Sequence, residues 1–97
     1  MTGFKFHPAA EAELQEAARY YASRRKGLGR AFMAEIRRTI SLIRANPEIG
    51  TLLEDDFRRR GIQRFPYSLL YSIGKEEFTI VAVMHQKRRP GYWRGRT

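Results

Sequence analysis

The spacing of hydrophobic positions changes as the chain proceeds, and each change marks an element boundary. Gly3, Phe4, Lys5 and Phe6 alternate, which predicts a short strand near 3–7 with both phenylalanines turned inward. After His7-Pro8 the period lengthens: Ala10, Leu14, Ala17 and Tyr21 fall at i, i+4, i+7 and i+11, one continuous helical stripe. Proline suits the first turn of a helix, where its missing N–H costs nothing. Glu11 and Glu13 early, with Arg24 and Arg25 late, match the helix dipole, so a helix is predicted over about 8–24. "RRKGLG" interrupts the stripe, and Phe32, Ile36, Ile40 and Ile43 then define a second helix over 28–46, ended by Asn46-Pro47 and Gly50. The short loop between them implies an antiparallel helical hairpin.

Beyond Gly50 the period becomes two. Strands are predicted near 57–65, 67–74 and 77–85. Tyr67, Leu69, Tyr71 and Ile73 share one face of theirs, with Ser68, Leu70 and Ser72 on the other. In the last strand Phe78, Ile80, Ala82 and Met84 alternate with Thr79, Val81 and Val83. That strand is apolar on both sides, so it is central or its second face is covered. The order is β-α-α-β-β-β, an α+β fold with the hairpin packed on one face of a mainly antiparallel sheet. Phe6, Leu14, Ala17, Phe32, Ile36, Ile40, Leu69, Tyr71, Ile80 and Ala82 are expected to fill the interface.

Ninety-seven residues at 42% hydrophobic suit one domain, 1–97, with a small core. No apolar run approaches the roughly 20 residues of a membrane span. The N-terminus lacks a charged region followed by an apolar stretch, so no signal peptide is expected, and a cytoplasmic protein is. Cysteine is absent, which excludes a disulfide framework and a thiolate metal site. The two histidines, His7 and His85, have no ligand spacing around them, so neither metal nor cofactor is expected.

Charge narrows the field. Nineteen Lys and Arg against ten Asp and Glu give a net charge of +9, favouring a polyanion or an acidic protein partner. Arg58, Arg59, Arg60 and Arg64 lie in or beside the strand predicted at 57–65, and Lys87, Arg88 and Arg89 follow the last strand. "MHQKRRPGYWRGRT" sets Tyr92 and the sole tryptophan, Trp93, among these cations without an acid. Guanidinium forks suit phosphate oxygens and aromatic rings stack on bases. Two uses of the rings stand open: packing against the core, or contact with a partner. The candidate binding set is Arg60, Arg64, His85, Lys87, Arg88, Arg89, Tyr92 and Trp93; no catalytic residue is assigned.

The segments "FHPAAEAEL", "AFMAEIRRTISLIRANPEIG", "RRRGIQRFPYSLLYSI" and "IVAVMHQKRRPGYWRGR" together resemble the ParE/RelE superfamily, the toxins of type II toxin–antitoxin modules. The end of the second helix and the H-x-x-R-x-P-x-Y-W tail resemble most the ParE-like, plasmid-stabilisation branch. That resemblance implies a toxin that poisons DNA gyrase and forms a hetero-oligomer with a cognate acidic antitoxin. The alternatives are a ribosome-dependent mRNA endonuclease of the RelE kind and an inactive nucleic-acid-binding relative. By the resemblance Arg89 matches the basic residue after the last strand, and Tyr92 or Trp93 the tail aromatic, whereas Ser68 stands where a nuclease has arginine. A positioned cation missing from such a site costs a factor of roughly 10² to 10³. The antitoxin would be received on an exposed face of Val81 and Val83, or in the groove beside the helices.

Overall fold

The computed structural model describes residues 3–96. Strand β1 is Gly3–Phe6, helix α1 Pro8–Arg24 and helix α2 Leu28–Ala45. Four further strands follow: β2 Thr51–Leu52, β3 Phe57–Gly61, β4 Tyr67–Ile73 and β5 Glu77–His85. They form one five-stranded sheet in the order β1-β5-β4-β3-β2. Only β1 and β5 pair in parallel; the other pairings are antiparallel.

The helices start and stop for local reasons. The His7 imidazole caps α1, its Nδ1 accepting from the Ala9 N–H at 3.0 Å, and Pro8 takes the first helical position. Close approach of the two helices requires Gly29, because a Cβ there would lie 2.9 Å from that of Ala22. Past α2 the chain is fastened by Tyr71, whose hydroxyl donates to the Pro47 carbonyl at 2.5 Å and accepts from the Gly50 N–H at 3.0 Å. Arg58 adds bonds to the carbonyls of Glu48 and Gly50. These contacts hold the two-residue β2, which alternation alone did not announce.

The strand expected over 57–65 ends at Gly61. Residues 62–66 form a turn instead, with Arg64 at φ 72°. The turn tucks Ile62 and Phe65 into the helix-side core, a burial that a straight strand continuing to 65 would not give to both.

The largest departure from simple alternation lies in β5. Leu70 pairs with Ala82 and Tyr71 with Ile80, which leaves Val81 as an extra, unpaired residue. Such a bulge turns neighbouring side chains to one face. Phe78, Ile80 and Val83 therefore join the core under the helices, while Val81 and Ala82 both belong to a second cluster on the opposite face. Ala82, expected between hairpin and sheet, is thus buried on the far side. The other residues expected in the interface are buried there, with Phe6 half-buried against them.

Ile36 is 1% exposed and packs at the centre of the helix-side core. Ile36→Ala should cost about 2–5 kcal/mol in urea unfolding, the usual penalty for truncating a packed aliphatic side chain. A loss below about 0.5 kcal/mol, the level of an ordinary surface substitution, would show that this helix face does not seal the core.

Candidate functional site

With the helices on one face, the apolar second face of β4 and β5 must be covered by something else. The C-terminal segment does this. Trp93, 5% exposed, sits with Leu70, Val81 and Ala82, and its ring meets Phe57 edge-on at 4.8 Å between centroids. Gly91, at φ 79°, turns the segment back over the sheet; a Cβ there would lie 3.0 Å from the Arg94 guanidinium. Of the two uses open to the tryptophan, packing is the one the structure displays.

A polar clamp closes the segment. Arg96 makes two bonds to the Glu13 carboxylate of α1, at 2.9 and 3.1 Å, and a third to the Val81 carbonyl at 3.2 Å. Glu13 Oε1 also accepts from the Val83 N–H at 3.0 Å. The pair therefore joins the tail and α1 to backbone groups of the bulged stretch. Both side chains are less than one-fifth exposed, at 18% and 17%. Tyr92 lies between the guanidinium of Arg88, 3.9 Å from its ring centre, and that of Arg96, at 4.9 Å. Its hydroxyl is buried beside Glu13 without a well-formed hydrogen bond of its own. Burial first, then the neighbouring carboxylate, pushes its pKa well above the usual phenol value.

Between this tail and the β2–β3 side lies a concavity of about 470 Å³. Its floor is apolar, from Leu70, Met84 and Trp93, and Arg59, Arg88 and Arg94 line its rim. Arg94 is held by an ion pair with Glu54. Arg59 reaches across the sheet to donate to the buried Ser68 hydroxyl at 3.3 Å, and Arg88 rests on the Tyr92 ring. Among the described residues neither Arg59 nor Arg88 has a carboxylate partner, so the rim presents two guanidinium groups whose charge is not neutralised.

The residues singled out from the sequence divide between different surfaces. Arg88, Tyr92 and Trp93 belong to the tail and its concavity. Arg60 pairs with Leu69 and so lies on the helix side of β3, away from it. Arg64 sits in the 62–66 turn with its guanidinium 5.7 Å from the Phe65 ring centre. His85 lines a second groove, along α1, that adjoins the concavity at Arg88; it is edge-on to Tyr67 at 5.0 Å, with Nδ1 accepting from the Lys87 N–H. Lys87 and Arg89 are exposed on the segment after β5. An exposed Val81–Val83 face does not exist: they are 1% and 2% exposed on opposite sides of the sheet, because the bulge separates them. Sequence reasoning left Arg59 in an undivided run of arginines and assigned Arg94 no role. Parity was the available signal for Arg59, since it shares a strand face with Phe57 rather than with its neighbours.

A family model for the ParE toxin of the type II toxin–antitoxin system parDE matches residues 4–90. No curated protein matches the chain in sequence. Among solved structures, one described as a chromosomal ParDE toxin–antitoxin system from P. aeruginosa superposes with a TM-score of 0.69 at 21% identity, covering 88% of this chain and 96% of that one. At that identity the structural likeness establishes the fold.

The two tail ion pairs should differ sharply in worth. Arg96→Ala removes two bonds from a largely buried carboxylate, leaves the Val81 carbonyl without its donor, and should lower unfolding stability by about 1–3 kcal/mol. Arg94→Ala, at an exposed pair, should change it by less than about 0.5 kcal/mol. Equal losses in urea titrations would show that Arg96 does not clamp the tail. Tyr92, with its folded pKa raised above the ordinary 10.0, contributes stability that is complete below about pH 10 and lost as pH rises beyond it. Alkaline unfolding should therefore be steeper in the natural protein than in Tyr92→Phe; superimposable curves above pH 10 would contradict this.

Proposed function

The chain belongs to the ParE toxin family of type II toxin–antitoxin systems, and we propose that it poisons DNA gyrase while a cognate acidic antitoxin holds it in check. One observation favours target binding over RNA cleavage: the concavity gathers cations but no free proton-transfer group. His85 lines the adjoining groove, which shares Arg88 with the concavity, and is not part of the concavity's own lining; the Tyr92 hydroxyl is buried and held protonated, and Glu54 at the rim is occupied by Arg94. General acid–base catalysis needs a group of suitable pKa within reach of the reacting atoms. A cationic surface without one binds and retains. In this reading the cytoplasmic toxin engages gyrase and its cleaved DNA through Arg59, Arg88 and the adjoining Lys87 and Arg89, and is not itself an enzyme.

In this reading the antitoxin binds the helical hairpin, the other surface considered, because Val81 and Val83 are buried. The groove there has a floor of Ala18, Ala22 and Met33, and Arg19, Lys26, Arg30 and Arg37 flank it with no acid in the lining. Small apolar side chains bordered by cations suit an acidic, amphipathic segment, which opposite charge would also steer into place.

Arg88→Ala combined with Arg89→Ala should abolish toxicity while the protein stays folded, because neither side chain is buried. Purified protein should stabilise gyrase–DNA cleavage complexes and leave ribosome-bound mRNA intact. Cutting of mRNA in the ribosomal A site, lost in Arg89→Ala, would overturn the gyrase reading in favour of the nuclease. For the antitoxin, stopped-flow mixing across an ionic-strength series should show association slowing far more than dissociation quickens. An association rate indifferent to salt would contradict a charge-steered encounter.

A further inference from the structure

The groove along α1 meets the concavity only at Arg88, and its walls have a different chemistry. Helical spacing brings Glu13, Glu16, Ala17, Tyr20 and Tyr21 to one face of α1, where they form one wall. Pro66, Tyr67, Val83 and His85 form the other. The hollow between them measures about 550 Å³, within the roughly 300–1,000 Å³ of small-ligand sites. Its rings stand steeply to one another: 76° between Tyr20 and Tyr21, 72° between Tyr21 and Tyr67, 84° between Tyr67 and His85. Tyr21 and Tyr67 are fixed by packing against the helix-side core, while Tyr20 is 54% exposed. Two carboxylates against one guanidinium line this groove, in a chain whose net charge is +9. Glu13 is engaged by Arg96, but Glu16 has no cationic partner among the described residues. The concavity, in contrast, has its acid paired with Arg94, and the hairpin groove has none. Burial first, then Tyr21, Glu16, Tyr20 and Glu13, hold the Tyr67 phenol above its usual pKa, so the carboxylates are felt inside the groove. Arg88 is turned onto the Tyr92 ring, 3.9 Å from its centre.

We propose that this groove binds an organic cation, a guanidinium or primary ammonium group, seated on the rings of Tyr20, Tyr21 and Tyr67 with Glu16 as its counter-ion. Aromatic faces attract cations, and rings set steeply to one another offer a bound cation more than one of them. The chain displays the same preference in its own side chains: Arg24 lies 5.6 Å from the Tyr20 ring centre, outside the groove's lining. A carboxylate or phosphate ligand would face Glu16 with only Arg88 to offset it. A neutral apolar ligand would leave the Glu16 charge unanswered. Guanidinium suits the groove best, because its plane stacks on a ring while its N–H groups reach a carboxylate. The site is independent of the gyrase reading, since Arg88 is the one residue the two surfaces share and the cation does not rest on it. No bond is made or broken.

The test is an NMR titration of the purified, isotope-labelled full-length protein with N-acetyl-argininamide, its uncharged isostere N-acetyl-citrullinamide, and putrescine. Argininamide should shift the amide signals of Glu16, Tyr20, Tyr67 and His85. The citrulline compound should bind roughly 2–30-fold more weakly, the range that a cation–ring contact spans. Tyr20→Leu should weaken argininamide binding within the same range, and Glu16→Gln by about 2–5-fold, the worth of an exposed ion pair. Both side chains are exposed, so the variants keep the fold, which circular dichroism checks. Glu11→Gln, an identical charge change on α1 outside the groove, should leave the affinity unchanged. Binding of argininamide without putrescine assigns the cation to a protein side chain, and binding of putrescine at least as tightly assigns it to a free amine; either supports the site. No binding of either cation, equal affinity for argininamide and citrullinamide, or equal losses in Glu16→Gln and Glu11→Gln would overturn the proposal.

Discussion

The architecture depends on one irregularity, the extra residue at Val81 in β5. A regular strand of alternating apolar side chains would bury one row under the helices and present the other to water. The bulge instead directs Val81 and Ala82 together to the far face and returns Val83 to the helix side. Beside it the edge of β5 beyond Ile80 is open, because β1 pairs only with Glu77–Ile80. Glu13 and Arg96 occupy that edge, the first accepting from the Val83 N–H and the second donating to the Val81 carbonyl. Since buried backbone groups left unpaired are costly, the clamp answers the open edge of β5 beside the bulge.

From the clamp follows the partition of the tail. Its aromatic residues are committed inward: Trp93 closes the second core and Tyr92 is packed between guanidinium groups. Its cations divide according to their partners. Arg96 and Arg94 are engaged by Glu13 and Glu54, whereas Arg88 is oriented by a ring and keeps its charge available. Arg59 reaches the same rim from β3 with only a neutral hydroxyl as partner. Packing and recognition are therefore not competing uses of the segment; the rigid rings hold the scaffold that aims the free charges.

Element order and the helix-side core were legible because the periods involved, 3.6 and 2, are unmistakable over stretches as long as α1, α2 and β4. The bulge was not, because β5 is apolar on both faces, and a shift of parity within an all-apolar run leaves no mark in the pattern. Once parity was carried through uninterrupted, Ala82 and Val83 were exchanged between faces, and a false exposed face at Val81 and Val83 came with it. The 62–66 turn was missed for a different reason: Arg64 adopts a left-handed backbone that propensity rarely assigns to arginine. The site was half legible. Basic and aromatic content located the tail, but Glu13–Arg96 spans 83 positions and Glu54–Arg94 spans 40, distances over which no local pattern selects a partner.

Trp93 is the only tryptophan in the chain, which makes the central claim, a packed tail that aims free charges, directly observable. Its fluorescence should be blue-shifted and poorly quenched by iodide in the natural protein, and should move to the red with efficient quenching in Arg96→Ala, where the clamp is lost. Solvent-like emission and full iodide access in the natural protein would contradict the account, since a free tail could neither seal the second core nor hold Arg88 at the rim.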